Sequence, residues 1–158
     1  MRLLRLIAPI LLGLAAAASA APAPVYFVMR HLQKAEGADP PLSAEGRRNA
    51  DRLARWFGRD RPAIVYVSTT RRAHETAAPL VARYHLTVRD YDPRDTPGLV
   101  ARVRQEKANV LIVGHSNTVP DIVAALGGTR PPPLAESDFG GIWRVGRDGR
   151  TEKKALGK

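Results

Sequence analysis

The stretch "VLIVGHSNTVPDIVAALGG", Val110 to Gly128, sets four consecutive strand-forming residues ahead of a Gly-His-Ser-Asn turn and then a segment of helical character. Val110 to Val113 is apolar at every position, which suits a strand covered on both faces, not one with a wet side. Pro120 stands in the first turn of the following helix and Gly127-Gly128 at its end, the usual order of start and stop signals. A doubly covered strand running straight into a helix is half of a parallel βαβ unit, so this stretch predicts an α/β fold.

The same alternation extends in the N-terminal direction. "PVYFVM" (24–29) reads as a strand, and "LSAEGRRNADRLARWFG" (42–58) as a helix with Ala50, Leu53, Ala54 and Phe57 on one face, Ser43 as N-cap and Gly58 as stop. "AIVYV" (63–67) is a second strand. A helix from near Thr70 to about Tyr84 follows, with Ala73, Ala77, Leu80 and Val81 on one side, then a strand near "LTVRDY" (86–91) and a short helix over 97–106. Strand and helix thus alternate four times, which predicts a three-layer α/β/α sandwich with a mostly parallel central sheet. The tail "GIWRVGRDGRTEKKAL" alternates about Asp148-Gly149 and predicts a C-terminal antiparallel edge hairpin.

The N-terminus reads differently. "MRLLRLIAPILLGLAAAASA" places Arg2 and Arg5 before an apolar run that closes on Ala18-Ser19-Ala20, the layout of a cleavable signal peptide over 1–20. Pro9 and Gly13 interrupt a run already short for a spanning helix, so stable membrane insertion after cleavage is not expected. The mature chain, 21–158, is then one domain, periplasmic or secreted. Its formal charge drops from +10 to +8, because Arg2 and Arg5 are the only charged residues lost. Such an excess favours anionic partners. The cations are scattered along helices instead of forming one basic run, which argues for a solvated surface and against a nucleic-acid partner. Cysteine is absent, which excludes a disulfide framework, a thiolate metal site and a cysteine nucleophile.

Right-handed crossovers put the loops after parallel strands on one edge of the sheet. Three of those loops carry unusual side chains: "MRH" after the first strand, "VSTTRRAHETA" after the second and "VGHSN" after the doubly covered one. Together they bring Arg30, His31, Ser68, Arg71 or Arg72, and His115 to a common crevice, Arg72 being the inward member of its pair. Two imidazoles beside guanidiniums suit a phosphoryl group, whose spread charge such donors hold without a metal. The helix opening near Asn117 is expected to add its amides. A neutral imidazole is also able to attack phosphorus and become a phosphohistidine, and arginines nearby disfavour its protonation.

Two other chemistries are excluded. Gly114-His115-Ser116-Asn117-Thr118 nearly fits a GxSxG nucleophile elbow, but all four histidines, His31, His74, His85 and His115, precede Ser116, whereas that triad needs one downstream. Zinc held by His31 and His115 would face repulsion from the flanking arginines, so no metal and no cofactor is expected. His74 and His85 read as ordinary structural or surface residues.

At these residues the chain resembles the histidine phosphatase superfamily, the phosphoglycerate-mutase-like group. The family's Arg-His pair after strand one matches Arg30-His31, its "RA..TA" element matches Arg72-Ala73 with Thr76-Ala77, and its second Gly-His matches Gly114-His115. The resemblance implies His31 as nucleophile, with Arg30, Arg72 and His115 binding the phosphoryl group. Ser68 and Asn117 are added here as further phosphate donors. Where the family commonly has Gly after Arg-His, this chain has Leu32, then Gln33 and Lys34 at the expected pocket mouth. The family's acidic proton donor has no direct match. Asp92 is favoured because it follows a strand and precedes Pro93, with Glu36 and Asp121 as alternatives.

The expected activity is that of an exported, metal-independent phosphatase of the small-chain branch, too short for the insertions of a sugar-phosphate mutase. Its substrate would be a phosphorylated small molecule or a phosphoprotein, cleaved at a phosphomonoester or phosphoramidate bond. The alternative is a non-catalytic periplasmic module that binds phosphate or an anionic glycolipid.

Overall fold

The structure, a computed structural model, describes residues 23–157. The signal peptide read over 1–20 therefore lies outside the described residues. The elements in chain order are β1 (Tyr26–Arg30), α1 (Ala44–Trp56), β2 (Ile64–Ser68), α2 (Arg71–Tyr84), β3 (Thr87–Tyr91), α3 (Thr96–Gln105), β4 (Val110–Gly114), α4 (Val119–Ala125), β5 (Gly141–Val145) and β6 (Thr151–Ala155). They form one six-stranded sheet in the order β3-β2-β4-β1-β5-β6. The pairs β2·β3, β2·β4 and β1·β4 are parallel, and β1·β5 and β5·β6 are antiparallel. The mixed sheet and its antiparallel edge hairpin are as the sequence predicts.

Alternation along the strands sorts the core into two layers. Phe27, Met29, Val65, Val67, Leu111 and Val113 point to one face, where Ala50 and Leu53 of α1 and Ala73, Ala77 and Leu80 of α2 pack on them. Tyr26, Val28, Tyr66, Val110 and Ile112 point to the other, against Leu99 and Val103 of α3 and Ile122 and Val123 of α4. Every residue of β1 and β4 is buried, because these two strands are sheathed by helices on both faces and flanked by strands on both edges.

Helix boundaries differ from the sequence reading at two ends. Ser43 caps α1 by accepting the Gly46 N–H at 3.1 Å, as expected. The helix stops at Trp56, however, with Phe57 already extended, because the Phe57 ring turns inward to meet Phe27 edge-on at 5.0 Å. Gly58 therefore does not form the stop. α4 is also shorter than the run to Gly128, and the chain leaves it at Gly127, whose φ of 96° L side chains rarely adopt.

Topology places the crevice. β1 and β4 lie side by side with Arg30 in register with Gly114. The chain leaving β1 leads into α1 on one face of the sheet, while the chain leaving β4 leads into α4 on the other. Their loops diverge at this point, which is where open α/β sheets bind ligands.

Candidate active site

His31 and His115 each follow one of these adjacent strand ends. The His31 N–H donates to the Gly114 carbonyl at 2.8 Å, which locks the two turns together. The imidazoles meet edge to face with centroids 5.3 Å apart, 64° between planes. Both are buried, at 3% and 8% exposure.

Hydrogen bonds determine which nitrogen of each ring carries the proton. His31 Nδ1 lies 2.8 Å from the Leu32 carbonyl. Since a carbonyl only accepts, Nδ1 is the donor, and Nε2 of the neutral ring keeps its lone pair. His115 takes the opposite tautomer. Its Nδ1 faces Arg72 Nη2, a donor, at 3.4 Å, so its Nε2–H donates to Ser68 Oγ at 2.8 Å. Burial, chiefly, pushes the His31 pKa down to about 4, with the Leu32 carbonyl opposing and with repulsion from a charged His115 ring and from the Arg72 and Arg30 guanidiniums adding to it. His115 is lowered to about 4 by burial first and then by Arg72 and Arg30.

The turn after β1 is fastened from α2. Leu32 N–H donates to Thr76 Oγ1 at 3.0 Å, and that hydroxyl donates in turn to the Arg72 carbonyl at 2.8 Å. The "RA..TA" element thus ties the helix that carries Arg72 to the loop that holds His31. Gly46 serves the same loop from α1, because a Cβ at that position would lie 2.0 Å from the Gln33 carbonyl oxygen.

The pocket, about 370 Å³, is lined by Arg30, His31, Lys34, Thr70, Arg72, Pro93, Arg94, His115, Ser116, Asn117, Thr118 and Glu136. Five predicted residues, Arg30, His31, Arg72, His115 and Asn117, therefore share one wall, with Lys34 at its rim. Arg71 turns outward to Glu75 at 2.7 Å, leaving Arg72 as the inward member. The Nε of Arg30 and of Arg72 are buried, and neither finds a hydrogen-bond partner among the described residues. Such donors cost about 1–3 kcal/mol each when unmet, and an oxyanion is the acceptor they suit.

Several expectations are corrected. Ser68 is fully buried behind His115, its Oγ bonded to the ring and 3.1 Å from Thr70 Oγ1, so it orients the imidazole and does not line the pocket. Asp92 is turned away onto Arg94, which holds it by a backbone N–H at 2.9 Å and guanidinium contacts at 2.8 and 3.0 Å. These bonds hold its carboxyl down at about 2, so it is no reservoir of protons near neutral pH. Asp121 pairs with Arg130, and neither it nor Glu36 lines the pocket. At the start of α4, the Thr118 and Val119 amides are consumed by the His115 carbonyl, which leaves them unable to serve an anion. Gln33 bonds Asn49 and Glu45 and lines a neighbouring cavity.

Glu136 was not legible as a site residue. Arg30 brings it there: one Nη donates to the carbonyls of Ala135 at 2.8 Å, Glu136 at 3.1 Å and Asp138 at 3.3 Å, and the other to Glu136 Oε2 at 3.1 Å. The guanidinium also lies over the Phe139 ring at 4.2 Å. The only hint in the sequence is that residues 134–139 follow a stiff triple proline, Pro131–Pro133, and must land somewhere near the sheet edge.

A helix-covered sheet whose switch point holds paired, proton-poor histidines among guanidiniums gives an α/β protein with a pocket whose donors suit an oxyanion. Residues 29–94 match the model of the histidine phosphatase superfamily (branch 1). The fold matches that of mycobacterial glucosyl-3-phosphoglycerate phosphatase, with a TM-score of 0.65 and 18% identity over 84% of this chain and 98% of that one. It also matches the protein histidine phosphatase SixA, solved with tungstate, with a TM-score of 0.60 and 22% identity over 84% and 97%. No curated protein sequence matches the chain. Over residues 29–94 the chain is thus similar in sequence to the histidine phosphatase superfamily, and its fold is that of the phosphatases just named. The family match covers Arg30, His31 and Arg72 but ends before His115, which joins the site through the β1·β4 register.

Proposed function

We propose that the protein is an exported, metal-independent phosphatase that works through a phosphohistidine on His31. The carrying observation is the tautomer of a ring that burial keeps neutral: Nδ1–H is held by the Leu32 carbonyl, and Nε2 is left as a nucleophile beside His115 and two guanidiniums. The phosphoryl oxygens are received by Arg30, Arg72, His115 and Asn117. Nε2 forms a bond to phosphorus as the bond to the leaving oxygen breaks, and water then displaces the imidazole to release inorganic phosphate. The Leu32 carbonyl keeps its hold on Nδ1–H throughout and stabilises the positive ring of the phosphoenzyme.

Four cations, Arg30, Lys34, Arg72 and Arg94, face one carboxylate in the pocket, a balance that suits a phosphorylated small molecule or a phosphoprotein side chain. The named activities of the structural neighbours, on glucosyl-3-phosphoglycerate and on phosphorylated histidine in protein, fall within that range. Export rests on the layout of residues 1–20.

The test is phosphate release from nitrophenyl phosphate by the mature protein and by His31→Ala. Activity and an acid-labile phosphoenzyme in the first, with neither in the second, are expected; turnover that survives the substitution refutes the reading. Mass measurement of the protein recovered from the periplasm, expected to show loss of residues 1–20, tests export.

A further inference from the structure

We infer that Glu136 is the proton donor and acceptor of the reaction, delivered to the pocket by a segment that Arg30 itself holds in place. The inference rests on the phosphatase reading above. Among the described residues that line the pocket, Glu136 is the single carboxylate. The other acids near this edge are committed elsewhere: Asp92 to Arg94, Asp121 to Arg130, and Asp39 to Arg72 and the Arg71 N–H. Glu136 is tethered on one side by Arg30 at 3.1 Å and on the other by Ser116 Oγ at 3.5 Å. Three carbonyls of the same segment bind the other Nη of Arg30. The carboxylate is therefore positioned by backbone as well as by its own charge, and Arg30 does two jobs from one buried site.

The resting ion pair sets the order of events. An arriving phosphoryl dianion competes with Glu136 for Arg30 and adds like charge beside it, and both changes favour the carboxyl over the carboxylate. The side chain is 82% exposed, so water supplies the proton. In the first step the lone pair of His31 Nε2 forms the N–P bond, the P–O bond breaks toward the leaving oxygen, and Glu136 gives that oxygen its proton. In the second, a water oxygen bonds to phosphorus, its proton passes to the Glu136 carboxylate, and the N–P electron pair returns to His31. The sum is ester plus water giving alcohol plus phosphate, with both residues restored.

The experiment compares wild type with Glu136→Gln, which keeps the shape of the exposed side chain, on nitrophenyl phosphate and on glycerol phosphate. A nitrophenolate leaves without help, whereas an alkoxide needs a proton. Expected for Glu136→Gln is a nitrophenol burst within about threefold of wild type, then slow turnover with accumulated acid-labile phosphate on His31, and on glycerol phosphate a loss of about 10²-fold or more. An equal loss or equal gain in the rate of the phosphorylation step on both substrates, read from single-turnover formation of phosphohistidine, would show that Glu136 acts only on binding through Arg30 and overturns the assignment, as does an unchanged glycerol phosphate rate. If wild type neither turns over nor forms phosphohistidine with either ester, the phosphatase reading fails and this assignment with it.

Discussion

Two buried imidazoles that resist protonation should leave a signature in stability as well as in chemistry. Each has an ordinary pKa of 6.5 that the fold lowers to about 4. Protonation is thus easier in the unfolded chain, so stability is full above pH 6.5 and falls as pH drops toward 4. Between pH 7 and pH 5.5 the unfolded rings become about nine-tenths protonated while the folded ones stay neutral, a loss of ~1.2 kcal/mol for each and ~2.5 kcal/mol for both. The figure is governed by the unfolded chain, because both folded values lie below this window. Asp92, held at about 2, is ionised throughout and contributes nothing to the difference. Urea unfolding followed by the fluorescence of Trp56 and Trp143, at both pH values, measures it. The double variant His31→Gln/His115→Gln should lose ~2.5 kcal/mol less than wild type over the same interval. Parallel losses in the two proteins would refute the inference that these rings are held neutral by the fold.

Other residues give independent tests. Thr76→Val leaves the buried Leu32 N–H without its acceptor and should cost about 1–3 kcal/mol in denaturant unfolding, with a drop in kcat because the loop holding His31 Nδ1 loosens. Ser68→Ala removes the acceptor of His115 Nε2–H; kcat should fall by roughly tenfold with KM for nitrophenyl phosphate little changed, since the hydroxyl orients the ring and does not touch the substrate. Arg72→Ala should lower kcat/KM by about 10²–10³, and NMR titration should show His115 protonating at higher pH once that neighbouring charge is gone. Gly46→Ala drives a methyl into the Gln33 carbonyl and should lower Tm and activity together, by shifting the turn after His31.

Much of this was readable because it depends on local patterns. Continuous apolar runs mark β1 and β4 as doubly covered strands, and two such strands with a His just past each end bring the imidazoles together once they pair in parallel. Thr76 and Ala77 were recognisable as a motif, although the reason for the threonine, its bond to Leu32 N–H, needed coordinates. What stayed hidden was side-chain choice among near neighbours. Asp92 does stand at the correct edge, but Arg94, two residues further on, captures its carboxylate. Ser68 ends a strand beside the crevice, and only the pleat decides that its hydroxyl faces the back of His115. Residues 134–139 have no period to read, and their position is set by Arg30, more than a hundred residues away in sequence.

Opposite tautomers divide the labour between two rings whose pKa values are equally lowered. His31 donates from Nδ1 to a carbonyl, which can only accept, so the neutral ring keeps its lone pair on Nε2, free to form a bond to phosphorus and regained when that bond is hydrolysed. His115 donates from Nε2 to a hydroxyl that relays to Thr70, and its Nδ1 is met by an arginine donor at only 3.4 Å. That is a weak contact, easily exchanged. Under the proposed reaction, a phosphoryl dianion in the pocket would offset both the burial and the guanidinium field that suppress protonation of His115, so the ring is expected to gain a proton on Nδ1 and a stronger partner in one event. The same anion cannot protonate His31 at Nε2, where it is itself the electrophile. Backbone geometry at Leu32, set by Thr76 and by the close approach of Gly46, is therefore what would separate the proposed nucleophile from the proposed binding residue in an otherwise near-symmetric pair.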